Sequence, residues 1–255
     1  MNFKRTNHHR PALTAAAAAM LCACAGTTPN QGEPELVMKK ATLIPFTAHP
    51  SHVDAVDSLL RSGRDLVEQN EPGTQHWYAL RQENASEGFA IFDIFKDASA
   101  MDAHFAGDVA AALQKSAATA VQNGWKEGVV ANVQTYDVIA QHRSPGTAAS
   151  LATAIQLRAA PGQADALAAL LVQGAKIIAS TEPGTPFWFA LRSSNDPETF
   201  AIFDLFISED ARQAHFSGKV AKALKDQADQ LVAGGWEQGV VANVRHFQTR
   251  AILNR

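Results

Sequence analysis

Displaced by 111 residues, Ala41–Asp137 lies over Ala152–Gln248 without a gap, and about 45 of 97 positions are identical. Chance does not produce such a match, so whatever one copy folds into, the other must fold into as well. Identity is densest in Glu71-Pro-Gly-Thr with Glu182-Pro-Gly-Thr, Phe89-Ala-Ile-Phe-Asp with Phe200-Ala-Ile-Phe-Asp, Ala103-His-Phe with Ala214-His-Phe, and Gly128-Val-Val-Ala-Asn-Val with Gly239-Val-Val-Ala-Asn-Val. The chain therefore divides into a first repeat over residues 40–140, a linker over 141–150 turned by Pro145-Gly146, and a second repeat over 151–250.

Each repeat shows one order of elements. In the first, a short strand (Ala41–Phe46) precedes a helix from Ser51 to Gln69, on which Val53, Val56, Leu59, Leu60, Leu66 and Val67 recur mostly at helical spacing. Glu71-Pro72-Gly73 stops it. Two strands, Trp77–Gln82 and Phe89–Phe95, flank a polar turn and read as an antiparallel hairpin. A helical stretch from Ala98 to Gln122, bent near Gly107, leads to a last strand, Val129–Val138. This βαββαβ order predicts an α+β fold in which a ferredoxin-like sheet carries its helices on one face. The strand Phe89-Ala-Ile-Phe-Asp-Ile-Phe is apolar on both faces, however, so the bare face also needs a cover. The second copy supplies one, and the expectation is two repeats packed sheet to sheet as a dimeric α+β barrel within one chain, with no second chain required.

Glu-Pro-Gly-Thr, then Trp and Arg on a strand, then Phe-x-Ile-x-Asp-x-Phe, then a helix bearing Ala-His-Phe, together resemble the antibiotic biosynthesis monooxygenase family, twice over nearly all of residues 41–250. The resemblance implies oxygenation of quinols or polyphenols with no cofactor. Members are commonly single-repeat cytoplasmic homodimers, whereas this chain carries both halves and an export signal. Haem-degrading relatives use an Asn on the first strand; Ala41-Thr-Leu-Ile-Pro-Phe and Ala152-Thr-Ala-Ile-Gln-Leu have none, so haem breakdown is not expected.

Of nine histidines only His104 and His215 hold equivalent places in both repeats. Histidine titrates near neutral pH, and the resemblance places one on the second helix, so these two are the candidate catalytic bases; the alternative is that each bonds a strand or caps its helix. Asp93 and Asp204 interrupt apolar strands, where a carboxylate must be paired, hydrogen-bonded or protonated. A turn centred near Ala85 sets Trp77 opposite Asp93 and Arg81 opposite Phe89, which suggests an indole N–H donating to Asp93. Two readings stand for the set formed by Trp77, Arg81 and Asp93 and its copy Trp188, Arg192 and Asp204. One is a pocket in which the indoles are walls, the aspartates substrate contacts and the arginines holders of a developing anion. The other is a satisfied polar patch that fixes the hairpin. Trp125 and Trp236 read as packing anchors at a turn. Replacement of His76 by Phe187 and of Gln75 by Pro186 beside Trp77 and Trp188 predicts unequal sites. No metal-ligand spacing and no nucleotide or flavin fingerprint occurs, so neither cofactor nor metal is expected and the partner is a small aromatic molecule.

The amino end reads as a cationic start (Lys4, Arg5, Arg10), an apolar run of about ten residues to Leu21, and a small-residue boundary, as in a signal peptide over residues 1–23. Leu21-Cys22-Ala23-Cys24 resembles a bacterial lipobox, which makes Cys24 the lipidated first residue on a tether over 24–39; the alternative is an ordinary signal cut near Ala25 and a soluble periplasmic protein. Ala25 is not the Asp of an inner-membrane retention signal, so the expected address is the outer membrane. Removing this leader leaves 19 basic against 25 acidic side chains, a poor match for nucleic acid. Cys22 and Cys24 are the only cysteines, so the folded part has no thiol chemistry. Two rivals to the oxygenase remain: a lipoprotein that binds a hydrophobic molecule inside the barrel without reaction, and a structural protein whose barrel is filled by its own side chains such as Tyr78 and Phe189.

Overall fold

A computed structural model describes residues 38–255 apart from 145 and 147. The expected signal peptide, Cys24 and most of the tether lie outside the described residues. In the first repeat β1 (Lys40–Thr47) leads through a short 3-10 turn to α1 (Val53–Asn70), and β2 (Thr74–Gln82) and β3 (Gly88–Phe95) form the hairpin. Then come α2 (Ala98–Phe105), α3 (Asp108–Ala120), a single turn α4 (Gly124–Gly128) and β4 (Gln134–Arg143). The second repeat follows the same order with β5 (Leu151–Arg158), α5 (Ala164–Thr181), β6 (Phe187–Ser193), β7 (Thr199–Phe206), α6 (Glu209–Phe216), α7 (Lys219–Leu231) and β8 (Val244–Asn254).

The eight strands close into one antiparallel barrel in the order β1-β3-β2-β8-β5-β7-β6-β4. Each repeat keeps the ferredoxin order 4-1-3-2, and the two free edges of one sheet pair with those of the other. The last strands carry out the closure. β4 pairs with β1 through Gln134–Asp137 and with β6 through Tyr136–Arg143, while β8 pairs with β5 and β2 in the same manner. This double duty explains why β4 and β8 are the longest strands and why β4 ends at Arg143, inside the stretch read from sequence as linker. It starts later than the apolar pattern suggests because Val130–Asn132 coil into a 3-10 turn after α4. Near Gly107 the helical stretch breaks rather than bends.

The pleat sorts the apolar residues of β3 into two cores. Phe89 and Ile91 face outward against α1 and α3, while Ala90, Phe92 and Ile94 point into the barrel. There Phe92 and Phe203 stack with ring centroids 3.8 Å apart, and Tyr78, Phe187, Phe189 and Tyr136 fill the remaining space. The interior is a packed aromatic core, as the filled-barrel rival supposed, and the cavities described below lie outside it. Helices cross the seams: α1 packs on β8, with Asp57 paired to Arg250, and α5 packs on β4. Neither repeat is complete without the other.

Candidate functional site

The hairpin places Trp77 opposite Asp93 and Arg81 opposite Phe89, as the turn position predicts, and the second repeat sets Trp188 opposite Asp204. Trp77 and Asp93 point to the helix side of the sheet. Across from them α2, whose first turn is capped by Asp97 accepting from the Ala100 N–H, delivers His104 at its end. Its counterpart α6, capped by Ser208, delivers His215.

Each histidine is held between two carboxylates. His104 Nδ1 donates to Glu71 Oε2 at 2.6 Å, and Nε2 lies 3.9 Å from Asp93 Oδ2; His215 makes the same approach to Glu182 at 2.6 Å and to Asp204 at 3.7 Å. The glutamates belong to the repeated Glu-Pro-Gly-Thr turns, where sequence reasoning saw a helix stop and not a partner. The signal was present: each Glu precedes its His by 33 residues in both copies. A Cβ at Gly107 would sit 2.6 Å from Glu71 Oε1, and one at Gly218 2.8 Å from Glu182 Oε1, so glycine at these positions admits the carboxylate to the helix end.

Electrostatics follow from burial. Desolvation pushes Asp93 up to about 6 against the opposing charge of His104 and the hydroxyl of Thr42, which donates to Oδ2 at 2.7 Å. Asp204 is pushed up to about 7 by the same burial, opposed by His215. Burial works against the proton on each imidazole, but the facing aspartate and the glutamate bond outweigh it and raise both His104 and His215 above the ordinary value. With Nδ1 directed at the glutamate, Nε2 is the ring nitrogen left facing the aspartate.

A cavity of about 340 Å³ lies between the sheet and the helices of the first repeat, walled by Ile44, Leu60, Trp77, Ile91, Val109 and Trp125, with His104 in its lining. A matching cavity of about 300 Å³ in the second repeat is lined by Trp188, Trp236, Ile202, Leu224 and His215. Both sit at the small end of ligand-pocket volumes, about 300–1,000 Å³, and suit a compact apolar molecule. Trp125 and Trp236 are thus pocket walls as well as packing anchors.

Several expectations need correction. The indole N–H of Trp77 does not reach Asp93: Trp77 Nε1 and Asp93 Oδ1 are both buried without a hydrogen-bond partner, as are Trp188 Nε1 and both Asp204 oxygens. The patch is therefore not a satisfied structural one. Arg81 and Arg192 stand apart from the histidines. Arg81 covers the Phe89 ring and donates to the Ser86 carbonyl, and Arg192 covers Phe200 and donates to the Pro197 carbonyl, so both brace hairpin turns. His76 and Phe187 lie on the barrel side of their strands, in contact with each other, because a strand turns alternate side chains to opposite faces. Their difference does not distinguish the two cavities. Among the described residues no set of three His, Cys, Asp or Glu side chains is placed to hold a metal.

The family described as antibiotic biosynthesis monooxygenase matches residues 42–116 and again 150–227. Among solved structures, a candidate monooxygenase from Fusobacterium nucleatum superposes with a TM-score of 0.72 at 15% identity, covering 87% of this chain and 96% of its own. A second candidate monooxygenase, from Lactobacillus acidophilus, gives 0.67 at 11% identity, covering 85% and 96%. An anthrone oxidase-like protein gives 0.55 at 14% identity, covering 85% and 93%. At these identities the likeness is one of fold. A search of curated proteins finds no match.

Proposed function

The chain belongs to the antibiotic biosynthesis monooxygenase family, and from that premise we propose that each repeat oxygenates a small quinol or polyphenol in the cavity between its helices and its sheet, using no cofactor. The observation that carries this reading is the placement of one imidazole, fixed through Nδ1 by a buried glutamate, in the lining of an otherwise apolar cavity. Without a flavin or metal the substrate itself must reduce dioxygen, and the phenolate does so far more readily than the phenol. His104 or His215, with proton affinity raised by its carboxylate partners, takes the hydroxyl proton at Nε2. The resulting imidazolium stands beside the developing anion, a role left open by the arginines, which line neither cavity. The indoles of Trp77 and Trp125 provide flat walls for an aromatic ring. A quinol and dioxygen then yield a hydroxyquinone and water: the substrate gives up four electrons, one oxygen atom enters the ring, and the other leaves as water.

Oxygen uptake by the purified protein against a panel of quinols and polyphenols, with autoxidation subtracted, tests this. Uptake that disappears in the His104→Ala plus His215→Ala variant, with circular dichroism unchanged, supports it. No uptake alongside tight binding of an aromatic would move the reading to a binding protein. From sequence alone we also propose export and lipidation at Cys24 to the outer membrane. Recovery of Cys24→Ala and the unaltered protein in the same membrane fraction would contradict that.

A further inference from the structure

The two cavities share their Glu–His–Asp sets but differ beside them. At the position of Thr135, which is not part of the first cavity's wall, the second repeat has His246, which lines the second cavity. Its ring stands edge-on to Phe216 at 5.8 Å, its Nδ1 lies 3.3 Å from the Thr153 hydroxyl, and its Nε2 has no hydrogen-bond partner among the described residues. Thr153 is the counterpart of Thr42. In the first repeat that hydroxyl donates to Asp93; in the second it turns to His246, and both oxygens of Asp204 are left without a hydrogen-bond partner. The surroundings of His246 are also charged: Arg212 is clamped by Glu83 and Glu209, where the positions related by the repeat hold the uncharged Met101 and Ala98 of the first repeat and Ser194 of the second.

We propose that His246 is the specificity residue of the second repeat, so that its cavity reads two polar substituents of an aromatic, one met by His215 and one by His246, while the first cavity reads only one, at His104, and does not discriminate at the other. The inference rests on the reading of these cavities as aromatic sites. It makes the duplication a division of labour: one chain offers two pockets of similar size and different polarity.

The test is NMR of the protein labelled at the histidine Cε1 positions, titrated separately with 2-naphthol and with 2,6-dihydroxynaphthalene. His104 reports the first site, and His215 and His246 the second. The expected result is that 2-naphthol moves His104 and His215, and that only the diol also moves His246. The diol should gain over 2-naphthol at the second site by about 3- to 10-fold more than at the first, the worth of one hydrogen bond. His246→Thr, which installs the first repeat's own residue, should bring the second site's ratio of diol to 2-naphthol affinity down to that of the first; Thr135→His should raise the diol preference at His104. Binding of both probes with a preference that His246→Thr does not alter would overturn the division of labour and leave the aromatic sites standing. If neither probe moves His104 or His215, the aromatic sites and this inference fall together.

Discussion

Replacing Asp93 by Asn should stabilise the protein, and only at high pH. Asp93 is fully buried in a strand that is apolar on both faces. An acid whose folded pKa lies above its unfolded value holds its proton more tightly when folded, so stability falls as pH rises between the two values. For Asp93 that window runs from 3.8 to about 6, and at about 1.4 kcal/mol per unit the ionised carboxylate costs about 3 kcal/mol above it. For Asp204 the window extends to about 7 and the cost to about 4 kcal/mol. His104 acts in the opposite sense. Its raised value contributes stability that is present below its unfolded pKa and is lost as pH rises through the folded one, and Asp93→Asn weakens that contribution near neutrality. The comparison is therefore cleanest at alkaline pH, where the imidazole is neutral in both proteins. Urea denaturation followed by circular dichroism should show Asp93→Asn close to the unaltered protein near pH 4 and more stable by at least about 3 kcal/mol near pH 9, where the neutral imidazole no longer offsets the carboxylate. A gain that is the same at both pH values, or a loss at pH 9, would refute the assignment of Asp93 as a desolvated carboxylate. Because the same substitution removes the charge facing His104, the gain should come with reduced oxygen uptake.

Gly107→Ala should push Glu71 off the helix end, costing about 1–3 kcal/mol and lowering the pH at which the His104 NMR signal titrates. Phe92→Ala should cost about 3–5 kcal/mol by opening the barrel core, yet leave 2-naphthol binding at His104 unchanged, since the pocket lies on the other face of the sheet; calorimetry checks both. Arg81→Gln plus Arg192→Gln should leave aromatic affinity unaltered in the same assay, and a tenfold loss would restore the arginines to the site.

The fold was legible because two independent signals agreed. The duplication demanded that both copies share an architecture, and Phe89-Ala-Ile-Phe-Asp-Ile-Phe, apolar on both faces, demanded a cover that only the second copy could give. Closure through long terminal strands was not legible, since pairing of β4 with β6 is a contact between copies, and Gln141-His-Arg carries no strand pattern of its own. The histidines and aspartates stood out as polar residues repeated in apolar settings. Glu71 and Glu182 were obscured because a helix stop already accounted for Glu-Pro-Gly. The arginines were misplaced with the site because register fixes the residue opposite but says nothing about how far a long side chain turns away along the strand. His246 was invisible to a search for repetition, since it is one of the positions at which the copies differ.

A small aromatic should bind between helix and sheet, against the glutamate-held imidazoles, and not in the barrel. A crystal structure of the protein soaked with 2,6-dihydroxynaphthalene decides between the two places. Ring density is expected beside Trp188 and Trp236, with one hydroxyl at His215 Nε2. Density displacing Phe92 and Phe203 inside the barrel, or empty cavities at saturating ligand, would contradict it.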